Sequence, residues 1–374
     1  MQEKYGYICW FGQFFVSLQL DAGLSLLRHL KFLWAYINKG NNAFRDIVNS
    51  EYVDKTSLIP LINMTLNTES RYSCVTRCRR FGKSMAAKML CAYYDKSCDS
   101  RELFVGLKAE KDKSFEKFLN KYSVIYLDVT SFTARPELGD KIVRVIQEKI
   151  IEELKDTFPD VRYRDNSDLM DTLSAIREAT GEKFFFIIDE WDAICREFPD
   201  RRKMKGDASG VAPTILDEYV MLLRRLFKTQ ESDEVFAGAY LTGILPIKKY
   251  NTESALNNFR EYSMITPGRM ANALGFTHDE VMKLCQSYCM DIKEMEQWYD
   301  GYRIGRALSI SSLSVISMAV GFRRGDIKWN HNFSPKQRSP ASPRPGTMYL
   351  CSLSCVSMAP HHIVVLSLWK LLRM

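Results

Sequence analysis

The segment that most limits what this chain can become is RCRRFGKS, residues 77–84, set between a brief apolar run (73–76) and a helix-period stretch (84–94). A strand that runs into a Gly-Lys-Ser turn and then into a helix is suited to holding a phosphate chain. The first helical N–H groups and the positive end of the helix dipole both point at an anion. In that arrangement Gly82 lets the backbone approach without a Cβ, Lys83 reaches the β- and γ-phosphates, and the Ser84 hydroxyl ligates Mg²⁺. The backbone of Arg79, Arg80 and Phe81 completes the cradle. Arg77 stands where the usual pattern has a glycine. With Arg79, Arg80 and Lys83 it makes four positive charges in seven residues, which an anion would neutralise and a solvated loop would also tolerate. Taken alone, the loop fits a plain helix start equally well.

A second segment shifts that balance. Residues 184–192, FFFIIDEWD, are five apolar residues followed by acids, the pattern of a buried strand that delivers carboxylates to its C-terminal edge. Ligands of open parallel sheets gather at such edges. Asp189 is then the candidate second Mg²⁺ ligand and Glu190 the group that polarises an attacking water. A strand ending in ordinary solvated acids is common. The conjunction is less so: the loop comes first, the acid-tipped strand about a hundred residues later, and one strand falls between. Residues 240–243 (YLTG) end a further apolar run with a hydroxyl. Thr242 is the candidate for sensing the γ-phosphate, though Thr is also a favoured strand residue.

Around these segments the chain reads as α/β. Apolar runs at 73–76, 123–129, 184–188 and 235–242 alternate with helix-period stretches at 84–94, 138–156, 168–179 and 215–227. This pattern predicts a mostly parallel sheet with helices on both faces. Beyond Gly275 it turns wholly helical, at 277–288 and 291–299. A content of 46% hydrophobic, 26% charged and 12% aromatic residues over 374 positions excludes a collagen, a wholly disordered chain and a small disulfide scaffold.

The net charge of +7 is uneven. Residues 303–374 hold ten Lys/Arg against one acid, leaving the first 302 residues at −2, so the overall basicity says little about nucleic acid. Ten cysteines without a CxxC pair are expected as free thiols in a reducing, cytoplasmic setting. The apolar stretch 5–20 is followed by Asp21, Arg28 and Lys31 before a membrane-spanning length accumulates, so a buried or interfacial helix is expected there. Cys351, Cys355, His361 and His362 lack finger spacing and are set aside as a zinc site. Arg260 and Arg269, after the fourth strand, are surface arginines by default and candidates for touching a γ-phosphate.

These motifs together resemble the AAA-ATPase-like family of P-loop NTPases. The chain carries YVDKT (52–56), RCRRFGKS (77–84), DEWD (189–192), TGILP (242–246), LNNF (256–259) and WYDGY (298–302) in that family's order. The resemblance also accounts for the missing loop glycine. Cys78 replaces the family's usual proline, which removes no ligand. Members usually continue into a nuclease-like domain of the PD-(D/E)xK type. Asp326, the one carboxylate after Arg303, cannot build such a site. The resemblance implies an atypical extension (1–34), a nucleotide domain (35–275), a small helical segment (276–303) and a basic, poorly structured tail (304–374). It implies ATP and Mg²⁺ as ligands, with hydrolysis by Lys83, Glu190 and Thr242, and a protein partner or a second copy as neighbour. A non-hydrolysing nucleotide switch, or a nucleic-acid- or nuclease-associated module, are the alternatives.

Overall fold

The computed structural model describes residues 36–163, 167–198, 214–247 and 256–293, and two further stretches, 302–304 and 307–310, as backbone strands. The four expected strands form, each to within one residue of its expected ends: β1 (Tyr72–Thr76), β2 (Ser123–Asp128), β3 (Phe184–Asp189) and β4 (Phe236–Gly243). A short fifth, β5 (Arg260–Tyr262), joins them in one parallel sheet of order β2-β3-β4-β1-β5. The loop-bearing strand and the acid-tipped strand are thus not neighbours, because β4 lies between them.

Nine helices matter here: α1 (Asn42–Val48), α2 (Leu58–Asn63), α3 (Lys83–Tyr94), α4 (Ile142–Thr157), α5 (Leu169–Thr180), α6 (Ala193–Glu197), α7 (Ile215–Phe227), α8 (Gln230–Val235) and α9 (His278–Ser287). Successive strand residues point to opposite faces, and each face finds a core. Cys74, Ile125, Leu127, Phe186 and Leu241 pack with α4, α5 and α7. Val75, Val124, Phe185, Ile187 and Tyr240 pack with α1, α2 and α3. Two covered faces are why these strands read as unbroken apolar runs rather than alternating ones.

Local signals set the helix ends. Asp168 accepts from the Asp171 N–H at 2.8 Å to start α5, and Gly181, with φ of +74°, ends it. The β2 edge is covered by the segment ahead of α1. Ile37 pairs antiparallel with Ile125, and the Asn38 N–H donates to the Val124 carbonyl at 2.8 Å. Glu153 of α4 fastens this cover by accepting from the Ile37 N–H at 3.0 Å. An edge dressed in this way is withdrawn from pairing with other chains.

Past Gly275 the structure corrects the all-helical expectation. α9 forms, opened by a reciprocal Thr277–Glu280 capping box, but it sits with an antiparallel sheet of β6 (Phe276–Thr277), β8 (Ala307–Ile310) and β7 (Tyr302–Ile304). YRI and ALSI are too short for a period to register in sequence, and their pairing is what stabilises them. The expected boundary at 303/304 therefore cuts a strand. The extension 1–34, the zinc candidates and the tail beyond 310 lie outside the described residues. No helix among the described residues is long and apolar enough to cross a membrane, and no disulfide joins the seven described cysteines.

Gly238, in the middle of β4, has no room for a side chain. A Cβ there would lie 2.7 Å from Leu66 Cδ2 and 3.2 Å from both the Arg71 carbonyl oxygen and Phe185 Cε2. Gly238→Ala is expected to destabilise the fold by about 1–3 kcal/mol, the usual cost of overpacking, read as a lower urea midpoint at unchanged slope.

Candidate functional site

The C-terminal ends of β1, β3 and β4 meet along one rim. The Trp191 N–H donates to the Thr242 carbonyl at 2.9 Å, and the Arg77 N–H to the Gly243 carbonyl at 3.1 Å. Three segments distant in sequence are thereby stitched side by side. Gly243 is the contact point: a Cβ on it would lie 2.7 Å from Asp192 Oδ1 and from Trp191 Cδ1.

In the loop after β1, Arg80 (φ +71°) and Gly82 (φ +77°) adopt left-handed backbone. Gly82 is the N-cap of α3 and gives no side-chain cap, so the first-turn amides are left for another acceptor. Arg77 has no positive φ, so the position that usually holds glycine does not need one. Arg77 also corrects the expected four-charge anion cluster, because its side chain turns inward. It is fully buried and donates to the carbonyls of Thr76 at 2.8 Å, Tyr262 at 2.7 Å and Met270 at 3.1 Å. Burial holds its pKa below the usual guanidinium value. Arg79 and Arg80 are exposed. The Phe81 ring is buried, and its carbonyl accepts from the Gly275 N–H at 3.0 Å.

Lys83 is 5% exposed and folds back over its loop, with Nζ 3.2 Å from the Cys78 carbonyl and 3.5 Å from Glu190 Oε1. Asp189, buried at the end of β3, accepts from the Tyr126 hydroxyl through Oδ2 at 3.2 Å, while its Oδ1 is buried with no hydrogen-bond partner. Burial raises its pKa to about 6. The Ser84 hydroxyl opposes that rise, the charges of Asp128 and Glu190 add to it, and the Tyr126 hydroxyl opposes it. Asp128 is its in-register partner on β2. Glu190 takes a left-handed φ of +53°, a strained choice for a residue with a Cβ. Its side chain lies between Lys83 and Arg196, whose Nη2 is 2.9 Å from Oε2. Thr242 is fully buried, and its Oγ1 has no partner.

Lys83, Ser84, Asp189 and Glu190 are therefore gathered at one rim, with Thr242 on the strand between. The two arginines named as γ-phosphate candidates part company. Arg260 reaches the Ser70 hydroxyl at 3.1 Å, next to the start of β1, whereas Arg269 stacks on Tyr262 and donates to its hydroxyl at 3.0 Å. Tyr126, Asp192 and Arg196 went unread in sequence. Only Asp192, inside DEWD, and the four-residue step from it to Arg196 carried any signal. A surface depression of about 390 Å³ lined by Lys96, Cys98, Asn120 and Lys121 lies beyond the opposite end of α3.

The family described as Predicted AAA-ATPase matches residues 39–252, more than half of the chain. The chain belongs to that family. The match takes in the loop, the acid-tipped strand and Thr242, and with the sheet it makes this a P-loop ATPase-type nucleotide-binding domain. Among solved structures, the Aeropyrum pernix ORC2 protein in its ADPNP–ADP complexes is similar over 68% of this chain and 59% of its own, at 11% identity and a TM-score of 0.33. The chain thus spans less than two thirds of that protein, and so loose a likeness carries no argument. No curated protein matches the chain.

Asp189 gives a pH-dependent test. The folded state keeps its proton up to about pH 6, while an unfolded Asp releases it near the ordinary value of about 4. Stability from this group is therefore present at low pH and falls as pH rises through that window. Asp189→Asn should stabilise the ligand-free protein at pH 7 by roughly 1–3 kcal/mol, with the gain vanishing below about pH 4 in denaturant titrations.

Proposed function

We propose that this domain binds ATP with Mg²⁺ and hydrolyses it. The observation that carries the reading is Lys83 Nζ resting 3.5 Å from Glu190 Oε1, beside a buried Asp189 that neighbours the Ser84 hydroxyl and whose Oδ1 lacks a hydrogen-bond partner. A cation and two acids from segments about a hundred residues apart are hard to explain there as packing alone. Burying a carboxylate with an unused oxygen costs stability, and a cation would offset that cost. The donors suit the ion: Mg²⁺ is a hard cation that takes oxygen ligands, commonly one or two from protein and the rest from phosphate and water. The described residues gather no trio of His, Cys, Asp or Glu that would cage a metal by themselves.

In this reading residues 35–275 are the catalytic unit. The amides of residues 79–84 cradle the phosphates, and Lys83 leaves Glu190 to neutralise them. Ser84 and Asp189 would hold Mg²⁺, which would supply charge neutralisation for the phosphates. Tyr126 keeps the Asp189 carboxylate oriented by occupying Oδ2. Glu190, once free of Lys83, accepts a hydrogen bond from the attacking water and directs it at the γ-phosphate. Thr242 offers an uncommitted hydroxyl on the strand between, suited to registering that phosphate.

Two substitutions separate binding from turnover. Lys83→Ala should weaken ATP binding by about a hundredfold, the loss of a strong charged contact, in a fluorescent-nucleotide titration. Glu190→Gln should bind ATP as the wild type does but release phosphate at least about a hundredfold more slowly. Equal turnover in Glu190→Gln would reject Glu190 as the water-directing group. Tight binding without phosphate release by the wild type would identify a nucleotide switch instead.

A further inference from the structure

Arg196 belongs to none of the motifs, yet it touches both carboxylates that flank Trp191. One guanidinium nitrogen lies 2.9 Å from Glu190 Oε2 and the other 2.5 Å from Asp192 Oδ1. Asp192 is fully buried, and its Oδ2 also accepts from the Ile244 and Leu245 N–H groups at 3.2 and 2.9 Å. Asp192 and Arg196 stand four apart across the start of α6, so the helical turn itself brings the guanidinium back over the acidic loop. Arg196 is thus held by a carboxylate that is in turn held by the loop following Thr242.

Glu190 divides its oxygens between two cations. Oε1 faces Lys83 and Oε2 faces Arg196. A lysine drawn to phosphate releases Oε1 and leaves Oε2 where it is. Without the second contact, a partly exposed glutamate stem would spread over several rotamers at the moment its direction matters. Resting on the hydrolytic reading above, we propose that Arg196 is a positioning residue: it anchors one oxygen of Glu190 so that the other is presented to the attacking water. One planar, forked group can engage both carboxylates at once. A lysine, with a single charged nitrogen, can satisfy them only in part.

The test uses the full chain and follows ATP affinity and phosphate release separately. Arg196→Ala should lower kcat by about tenfold, the equivalent of one charged contact in the transition state, with nucleotide affinity within about twofold of wild type. Arg196→Lys should recover part of the loss. Guanidinium ion, added far below unfolding concentrations, should partly restore Arg196→Ala and leave the wild type unchanged, which a purely structural defect would not allow. If Arg196→Ala does not fold, Arg196→Gln, which retains the stem and a polar head, takes its place. A folded variant with wild-type or faster turnover overturns the inference, as does a loss confined to nucleotide affinity. Absence of phosphate release by the wild type would sink the hydrolytic reading and this inference together. Wild-type turnover with an indifferent Arg196 variant sinks the inference alone.

Discussion

Two backbone hydrogen bonds hold the functional rim in register: Trp191 N–H to the Thr242 carbonyl and Arg77 N–H to the Gly243 carbonyl. Each continues the pairing of a parallel ladder beyond the last regular strand residue, so the loops that leave the sheet start out already aligned. Everything chemical follows from that alignment. The phosphate loop departs from one side of β4 and the acidic loop from the other. Between them Gly243 lets Asp192 and Trp191 come close enough to touch the β4 backbone. A larger residue there would separate the two halves of the site.

The rim also shows two ways of handling a buried charge. Arg77 is largely satisfied: its two terminal nitrogens donate to three carbonyls that tie β1 to β5 and to the turn at Gly268–Met270, and Nε alone lacks a partner. It behaves as a structural clamp. Asp189 is left short: one oxygen is bonded to Tyr126, the other to nothing, and its proton is held to about pH 6. Arg77 keeps one unpartnered nitrogen beside three bonded carbonyls, whereas Asp189 keeps one of only two oxygens unpartnered. Leaving one oxygen spare sacrifices stability, as groups kept ready for a ligand commonly do.

Much of this was legible in the residues alone. Buried strands carry an unmistakable signal when both faces are apolar, so FFFII and the run at 235–242 located β3 and β4 to within a residue. Gly82, Lys83, Ser84, Asp189 and Glu190 were legible because short-range chemistry fixes their spacing. The inward turn of Arg77 was not, since nothing local distinguishes an arginine that meets phosphate from one that meets carbonyls of β5, some 185 positions away. Tyr126 reads simply as an aromatic strand residue until β3 is laid beside β2. The small sheet after Gly275 was missed for a related reason: three- and four-residue strands exist through their partners and leave no period behind.

The placement of β4 has a bearing on how the chain is made. β1 and β3 are synthesised first but are not neighbours, and the strand that joins them is complete only at Gly243. Without β4 the sheet order leaves only a β2–β3 pair and a β1 apart from it, each with unpaired backbone groups facing the same missing insert. Closing a sheet from its centre, late and over long sequence separations, is slow and leaves unpaired edges open to strangers. Only a chain whose β4 is free to pair can bring β1 and β3 into one sheet.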